Sequence, residues 1–197
     1  MSRPRQVSDE DLLSAARDLL AEHGPAVSMR VIADAVGVSS QALLKRFGSR
    51  KELILQALIN KGEPPFLGLM EGGPTVDRPF KEQLSELMLT VGHYLEQGHR
   101  FMSLLRWSDI DPREIMCRFE VPPPKRFIRG FASWLRRANE IGLTRSHDYE
   151  ASALAIMGSI GERSFLTHVL RVPPTGHSLE EYVRETVELY CRALRPD

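Results

Sequence analysis

Apolar residues recur at helical intervals along most of this chain. Nowhere do they keep up the alternation of an exposed sheet, so the pattern predicts an all-α protein. The first stripe is Leu12, Leu13, Ala16, Leu19 and Leu20. It follows Ser8, whose hydroxyl can cap a helix, and Asp9, Glu10 and Asp11, which suit the positive end of a helix dipole. Gly24 and Pro25 end it. From Ser28 to Phe47 the period is broken once. Val31, Ile32, Ala35 and Val36 recur at helical spacing up to Gly37, which can take the left-handed conformation that closes a helix, and Ser39 can cap the next. In that second short helix Leu43 and Phe47, four apart, share a face assigned to the core, while Ser40, Gln41, Leu44 and Lys45 look outward. Two short helices joined by a tight turn make a helix-turn-helix.

The periodicity continues beyond it. Ser49 to Glu52 reads as a capping box opening a helix that carries Leu53, Ile54, Ala57 and Leu58 to about Asn60. The Gly- and Pro-rich stretch from Gly62 to Arg78 reads as a long connector. A helix then starts near Pro79 and runs through Leu84, Leu87, Met88, Val91 and Leu95 to about Gln97, with a separate apolar segment from Phe101 to Trp107. Asp111-Pro112-Arg113-Glu114 predicts a brief helix stopped before Pro122, Pro123 and Pro124, and Lys125 to Glu140 predicts a longer one. The segment from about Asp148 to Leu170 is apolar around its middle and is expected to be buried on more than one side. Ser178 with Glu181 caps a final helix lined by Tyr182, Val183, Val187, Tyr190 and Leu194. The break near residue 60 divides the chain into a small unit, 1–60, and a larger helical one, 61–197.

Composition narrows the classes. The 197 residues hold 42% hydrophobic and 26% charged side chains, the balance of a soluble globular protein. Lys and Arg equal Asp and Glu at 26 each, so bulk charge points to no partner, but Lys45, Arg46, Arg50 and Lys51 cluster beside the helix-turn-helix, and Arg3 and Arg5 precede it. Cys117 and Cys191 are too few and too far apart for a disulfide framework or a zinc site. There is no Gly-rich phosphate loop, nucleophile elbow or metal-spaced His/Cys cluster, so no catalytic residue, cofactor or metal is expected. No apolar run approaches the roughly 20 residues of a membrane span, and no signal core opens the chain; a cytoplasmic protein is expected.

The run Ala33-Asp34-Ala35-Val36-Gly37-Val38-Ser39, closed at Phe47, with LLSAARDLLAEHG before it and FGSRKELILQAL after it, resembles the DNA-binding end of TetR-family transcriptional regulators. The resemblance covers about residues 8 to 60 and implies a three-helix DNA-binding unit. It also implies a C-terminal bundle that dimerises through its last two helices and takes a small-molecule effector. It places Ser28 and Arg30 at a phosphate and a groove edge, Ser39, Ser40 and Gln41 at base edges, and Arg50 where relatives have a phosphate-binding lysine. Gln suits adenine and Arg suits guanine, so Gln41 and Arg30 are the candidates for sequence readout. Leu44, Lys45 and Arg46 depart from the family's aromatic and histidine pattern; Leu44 can touch a thymine methyl and Lys45 can meet a phosphate. The expected partners are double-stranded operator DNA, a second copy of the chain, and an apolar or amphipathic ligand. That ligand is expected among Met88, Phe101, Met102, Trp107, Phe127, Phe131, Trp134 and Phe165. The function implied is repression, with a protein-interaction or ligand-binding module that has lost DNA binding as the alternative.

Overall fold

A computed structural model describes residues 7–24, 26–59, 63–105 and 110–196. Ten helices run in order: α1 (Asp9–His23), α2 (Met29–Val36), α3 (Ser40–Phe47), α4 (Arg50–Ile59), α5 (Pro65–Gly72), α6 (Phe80–Leu105), α7 (Pro112–Met116), α8 (Pro123–Glu140), α9 (Tyr149–His168) and α10 (Leu179–Leu194). The described residues contain no strand. Two compact units result, one of residues 1–62 with 101–120 and one of 63–100 with 121–197.

The helix ends are where local chemistry puts them. Ser8, Ser28, Ser39, Asp111, Asp148 and Ser178 each cap a helix by accepting a backbone N–H, and Ser8, Asp111 and Ser178 complete reciprocal capping boxes. Gly37 is left-handed (φ 73°, ψ 31°). Its N–H reaches the Asp34 carbonyl and that of Val38 reaches Ala33, so the last carbonyls of α2 are satisfied by a Schellman turn. A side chain there would be strained, which is why the turn needs glycine.

In the first unit Leu12, Leu13, Ala16 and Leu20 of α1 meet Ile32, Ala33, Leu43, Phe47 and the inner face of α4. Val31 and Ala35 are exposed despite their apolar character, and the buried edge of α2 is Ile32 and Ala33. Arg17 ties α1 to α4 by donating to the Ala57 carbonyl at 3.1 Å. The brief helix α7 is fastened to α4 by Lys51 on Glu114 (2.8 Å) and by a two-pronged Arg118–Glu52 pair (2.8 and 2.7 Å). The Arg118 guanidinium first, then the Gln56 amide, holds the Glu52 carboxyl below its usual range.

Three expectations are corrected. The Gly- and Pro-rich stretch is not a continuous loop: α5 occupies Pro65–Gly72 and buries Phe66, Leu67 and Met70. Pro65 fits the first helical position, where no N–H is needed, and burial of a Phe and a Leu, worth about 1.5–3 kcal/mol each, outweighs weak helix propensity. The remaining loop is ordered by buried Gln83, whose amide accepts from the Thr75 N–H and donates to the Thr75 and Arg78 carbonyls. Second, α6 runs unbroken for 26 residues through Gly98, joining what the sequence divided into two segments. Third, Pro123 and Pro124 open α8, which begins two residues before Lys125.

The second unit has an aromatic core. Phe66, Tyr94 and Phe127 pack edge to face, and Trp134 stacks between Phe80 and Phe131. Helices α8 and α9 form its central pair, and α10 adds Leu179, Val183, Val187 and Leu194. Only one side of α9 is packed. Ala153, Ile156, Met157 and Ile160 are buried, while Leu154, Ala155, Gly158 and Phe165 face solvent in the isolated chain.

Candidate nucleic-acid interface

The helix-turn-helix holds two eight-residue helices whose buried sides are Ile32 and Ala33 on α2 and Leu43 and Phe47 on α3. What remains outside is a compact surface. Ser28, Arg30, Ser39, Gln41, Leu44, Lys45 and Arg46 are exposed, and Ser40 and Arg50 are half-buried.

These side chains are not equally free to meet DNA. Ser28 Oγ accepts from the Val31 N–H at 3.3 Å and Ser39 Oγ from the Ala42 N–H at 3.1 Å, so each holds a helix start and keeps its own hydroxyl proton for an outside acceptor. Arg30 lies 3.8 Å from Asp34, a loose exposed pair that phosphate can displace. Gln41 and Lys45 make no hydrogen bond or ion pair among the described residues. Leu44 is 44% exposed, a large apolar side chain held out from the surface.

Arg46 and Arg50 are engaged within the fold. Arg46 pairs with the Asp9 carboxylate and donates to the Val7 carbonyl at 2.8 Å, tying α3 to the start of α1. Arg50 Nε donates to the Val27 carbonyl at 2.8 Å, fixing the chain as it enters α2. These arginines cluster with Lys45 in the sequence; spatially they brace the unit that presents it. Val31, apolar and at helical spacing in the sequence, is 42% exposed beside Arg30 on α2, so it joins this outer surface rather than the core.

The residues expected to take a ligand are dispersed. Met88, Phe127, Phe131 and Trp134 lie together in the core of the second unit. Phe101 and Met102 belong to the apolar cluster of the first unit, Phe165 is 38% exposed, and Trp107 lies outside the described residues. Cys117 and Cys191 are free thiols, and burial pushes the Cys191 thiol above its usual pKa. Among the described residues no His, Cys, Asp and Glu cluster could hold a metal ion, and no helix is long and apolar enough to cross a membrane.

Residues 12–57 match the family model of bacterial regulatory proteins, tetR family. A putative TetR-family transcriptional regulator from Mesorhizobium loti shares the fold at a TM-score of 0.75 and 16% identity, over 95% of this chain and 96% of its own. SmeT, solved as a complex with triclosan, aligns at a TM-score of 0.68 and 20% identity over 98% and 93%. The TetR-family regulator PfmR from Thermus thermophilus aligns at 0.59 and 24% over 92% and 97%. No curated protein sequence matches the chain. The helix-turn-helix end of the chain thus matches the model of the TetR family, and its full length takes the fold of solved TetR-family regulators.

Proposed function

We propose that the protein is a homodimeric repressor that binds double-stranded operator DNA through α2 and α3 and leaves it when a small apolar or amphipathic molecule binds the second unit. The observation that carries this reading is the outer face of α3, where Gln41, Leu44 and Lys45 are exposed and where Gln41 and Lys45 make no hydrogen bond or ion pair among the described residues. A helix of this length, entered through a capped turn and crossed by a second helix, fits the major groove. Gln41 is suited to adenine, Leu44 to a thymine methyl and Lys45 to a phosphate. Ser28 then meets a phosphate and Arg30 a groove edge, Ser39 and Ser40 stand at base edges beside Gln41, and Arg46 and Arg50 act at the interface mainly through the rigidity they give it.

In this reading residues 1–60 supply DNA binding, and residues 61–197 supply effector binding and dimerisation, in the cytoplasm where the DNA is. The solvent-facing apolar side of α9, with Leu189 and Ala193 on α10, supports dimerisation through the last two helices. That SmeT, similar in fold, forms a complex with triclosan supports a small-molecule effector. The ligand acts by favouring a dimer whose two recognition helices no longer match the spacing of about 34 Å between successive major grooves. A coupling of about 1–3 kcal/mol changes operator affinity roughly 5- to 150-fold.

Selection of random duplex DNA by the purified protein tests the proposal. The expected product is an inverted repeat with half-sites about one helical turn apart, bound with an affinity that falls steeply with salt. No enrichment, together with weak binding at low salt, would overturn it.

A further inference from the structure

Where α5 lies against α8, a groove of about 430 Å³ opens on the second unit. Its position follows from the two faces of α8. Phe127, Phe131, Trp134 and Leu135 turn inward, and Arg126, Arg129, Gly130, Ser133 and Arg137 form the opposite row, at helical spacing. Leu67 and Met70 of α5, both buried, supply the apolar floor. Gly130 keeps the groove open, because a Cβ there would come within 3.0 Å of the Met70 sulfur.

The rim is cationic beyond what the described residues neutralise. Arg126 is committed to Glu63 through two bonds, at 3.1 and 2.8 Å. Arg137 donates once from each terminal nitrogen, to the Met70 and Glu71 carbonyls, neutral acceptors that leave its full charge in place and a second N–H on each nitrogen. Its Nε is buried without a partner. Arg129 makes no hydrogen bond or ion pair among the described residues. Against Arg129 and Arg137 the lining offers one carboxylate, Glu71.

We infer that this groove is a binding site for a small amphipathic anion: a carboxylate or similar head held by Arg129 and Arg137, and a short apolar body laid on Leu67 and Met70. Guanidinium groups suit a planar carboxylate because they offer paired donors in a fixed fork. The row from Arg126 to Arg137 spans roughly 16 Å of helix, room for a head group and a medium-length chain. The site deepens the effector reading above, but its test uses no DNA. Failure of the site leaves the DNA reading standing, and failure of operator selection leaves the site standing.

Calorimetric titration of the full chain with decanoate, and with decanamide as its uncharged counterpart, measures both features. Decanoate is expected to saturate one site per chain and to bind at least about tenfold more tightly than decanamide, because the head group meets charge-assisted donors. Arg129→Gln is expected to weaken decanoate about fivefold or more while leaving decanamide unchanged, and Glu71→Gln to tighten decanoate by removing a like charge. Ser133→Trp fills the groove from an exposed position, so folding is preserved and both probes are excluded. Equal affinity for the two probes overturns the inference, as does decanoate binding unaffected by both Arg129→Gln and Ser133→Trp.

Discussion

Lys45 and Arg46 are adjacent in sequence and carry the same charge, yet their surroundings give them different work. Lys45 makes no hydrogen bond or ion pair among the described residues, so Lys45→Ala is expected to weaken duplex binding uniformly across sequences, to lower the salt slope by about one, and to leave unfolding by urea unchanged. Arg46→Ala is expected to cost about 0.5–1 kcal/mol of stability, the scale of an exposed ion pair. Arg50→Ala costs more, about 1–2 kcal/mol, because it strips a donor from a carbonyl beside the buried Val27. Equal urea midpoints for the three variants would show that the braces do not matter. Gln41→Ala should instead flatten the preference at one base position by about 1–3 kcal/mol, read from the selected sequences; uniform weakening at all sites counts against base reading. A fifth residue responds to pH. Burial first, then the neighbouring His168, lowers the pKa of His99, whose Nδ1 lies 2.8 Å from Ser164 Oγ. A histidine held neutral stabilises the fold above its unfolded pKa of 6.5, and that contribution is lost as pH falls through 6.5 toward the lower folded value. Thermal unfolding at pH 7.5 and 5.5 (about one unit either side) should show a smaller acid loss in His99→Asn than in the parent protein. What the sequence made legible at this scale was the surface, since Leu43 and Phe47 define a core side and leave Gln41, Leu44 and Lys45 outside. The partners of Arg46 and Arg50 were hidden because Val7 and Val27 are brought to them only by the fold.

Helix ends were legible because capping is local: Ser8, Asp111 and Ser178 each find their partner three residues on. Interiors were less so, because burial decides them. Phe66, Leu67 and Met70 make α5 a helix from residues whose Gly and Pro content argues for a loop, and α6 crosses Gly98 without a break. The two glycines of α6 show that one residue type can sit in a helix for opposite reasons. At Gly92 a Cβ would fall 2.8 Å from Leu179 Cδ1, so this glycine lets α10 approach; at Gly98 nothing lies within 4 Å. Gly98→Ala is therefore expected to stabilise the protein by about 0.5–1 kcal/mol through helix propensity alone. Gly92→Val should destabilise it by about 1–3 kcal/mol, because Leu179 is 5% exposed and has little room to yield. Urea denaturation of the pair measures both, and the same sign for the two would mean that the α6–α10 approach is not tightly packed.

For the molecule as a whole, the open question is what covers the outer side of α9 and α10. Leu154 (56% exposed), Ala155, Gly158 and Phe165 (38%) recur at intervals of one, three and seven along α9, and Leu189 (63%) and Ala193 continue the apolar surface on α10. Gly158 has no described atom within 4 Å of a Cβ, so it offers a second helix a close approach, whereas a Cβ at Gly161 would make an ordinary contact within the chain, 3.9 Å from Leu95 Cδ1. In the proposed dimer a two-fold axis through this surface brings the same surface of a second copy against it, so every substitution is felt twice. Leu154→Glu with Leu189→Glu puts four carboxylates into the proposed interface while changing only exposed positions, so the monomer fold should survive. Sedimentation at micromolar concentration is expected to move from dimer to monomer, with unchanged helicity. Operator affinity should fall at least about a hundredfold, because a single short recognition helix keeps only half of the contacts. If the double variant remains a dimer, the apolar side of α9 and α10 has another use. If it becomes a monomer and still binds the full operator as tightly, the two recognition helices do not act together, and the dimeric repressor reading fails even though each helix-turn-helix binds DNA.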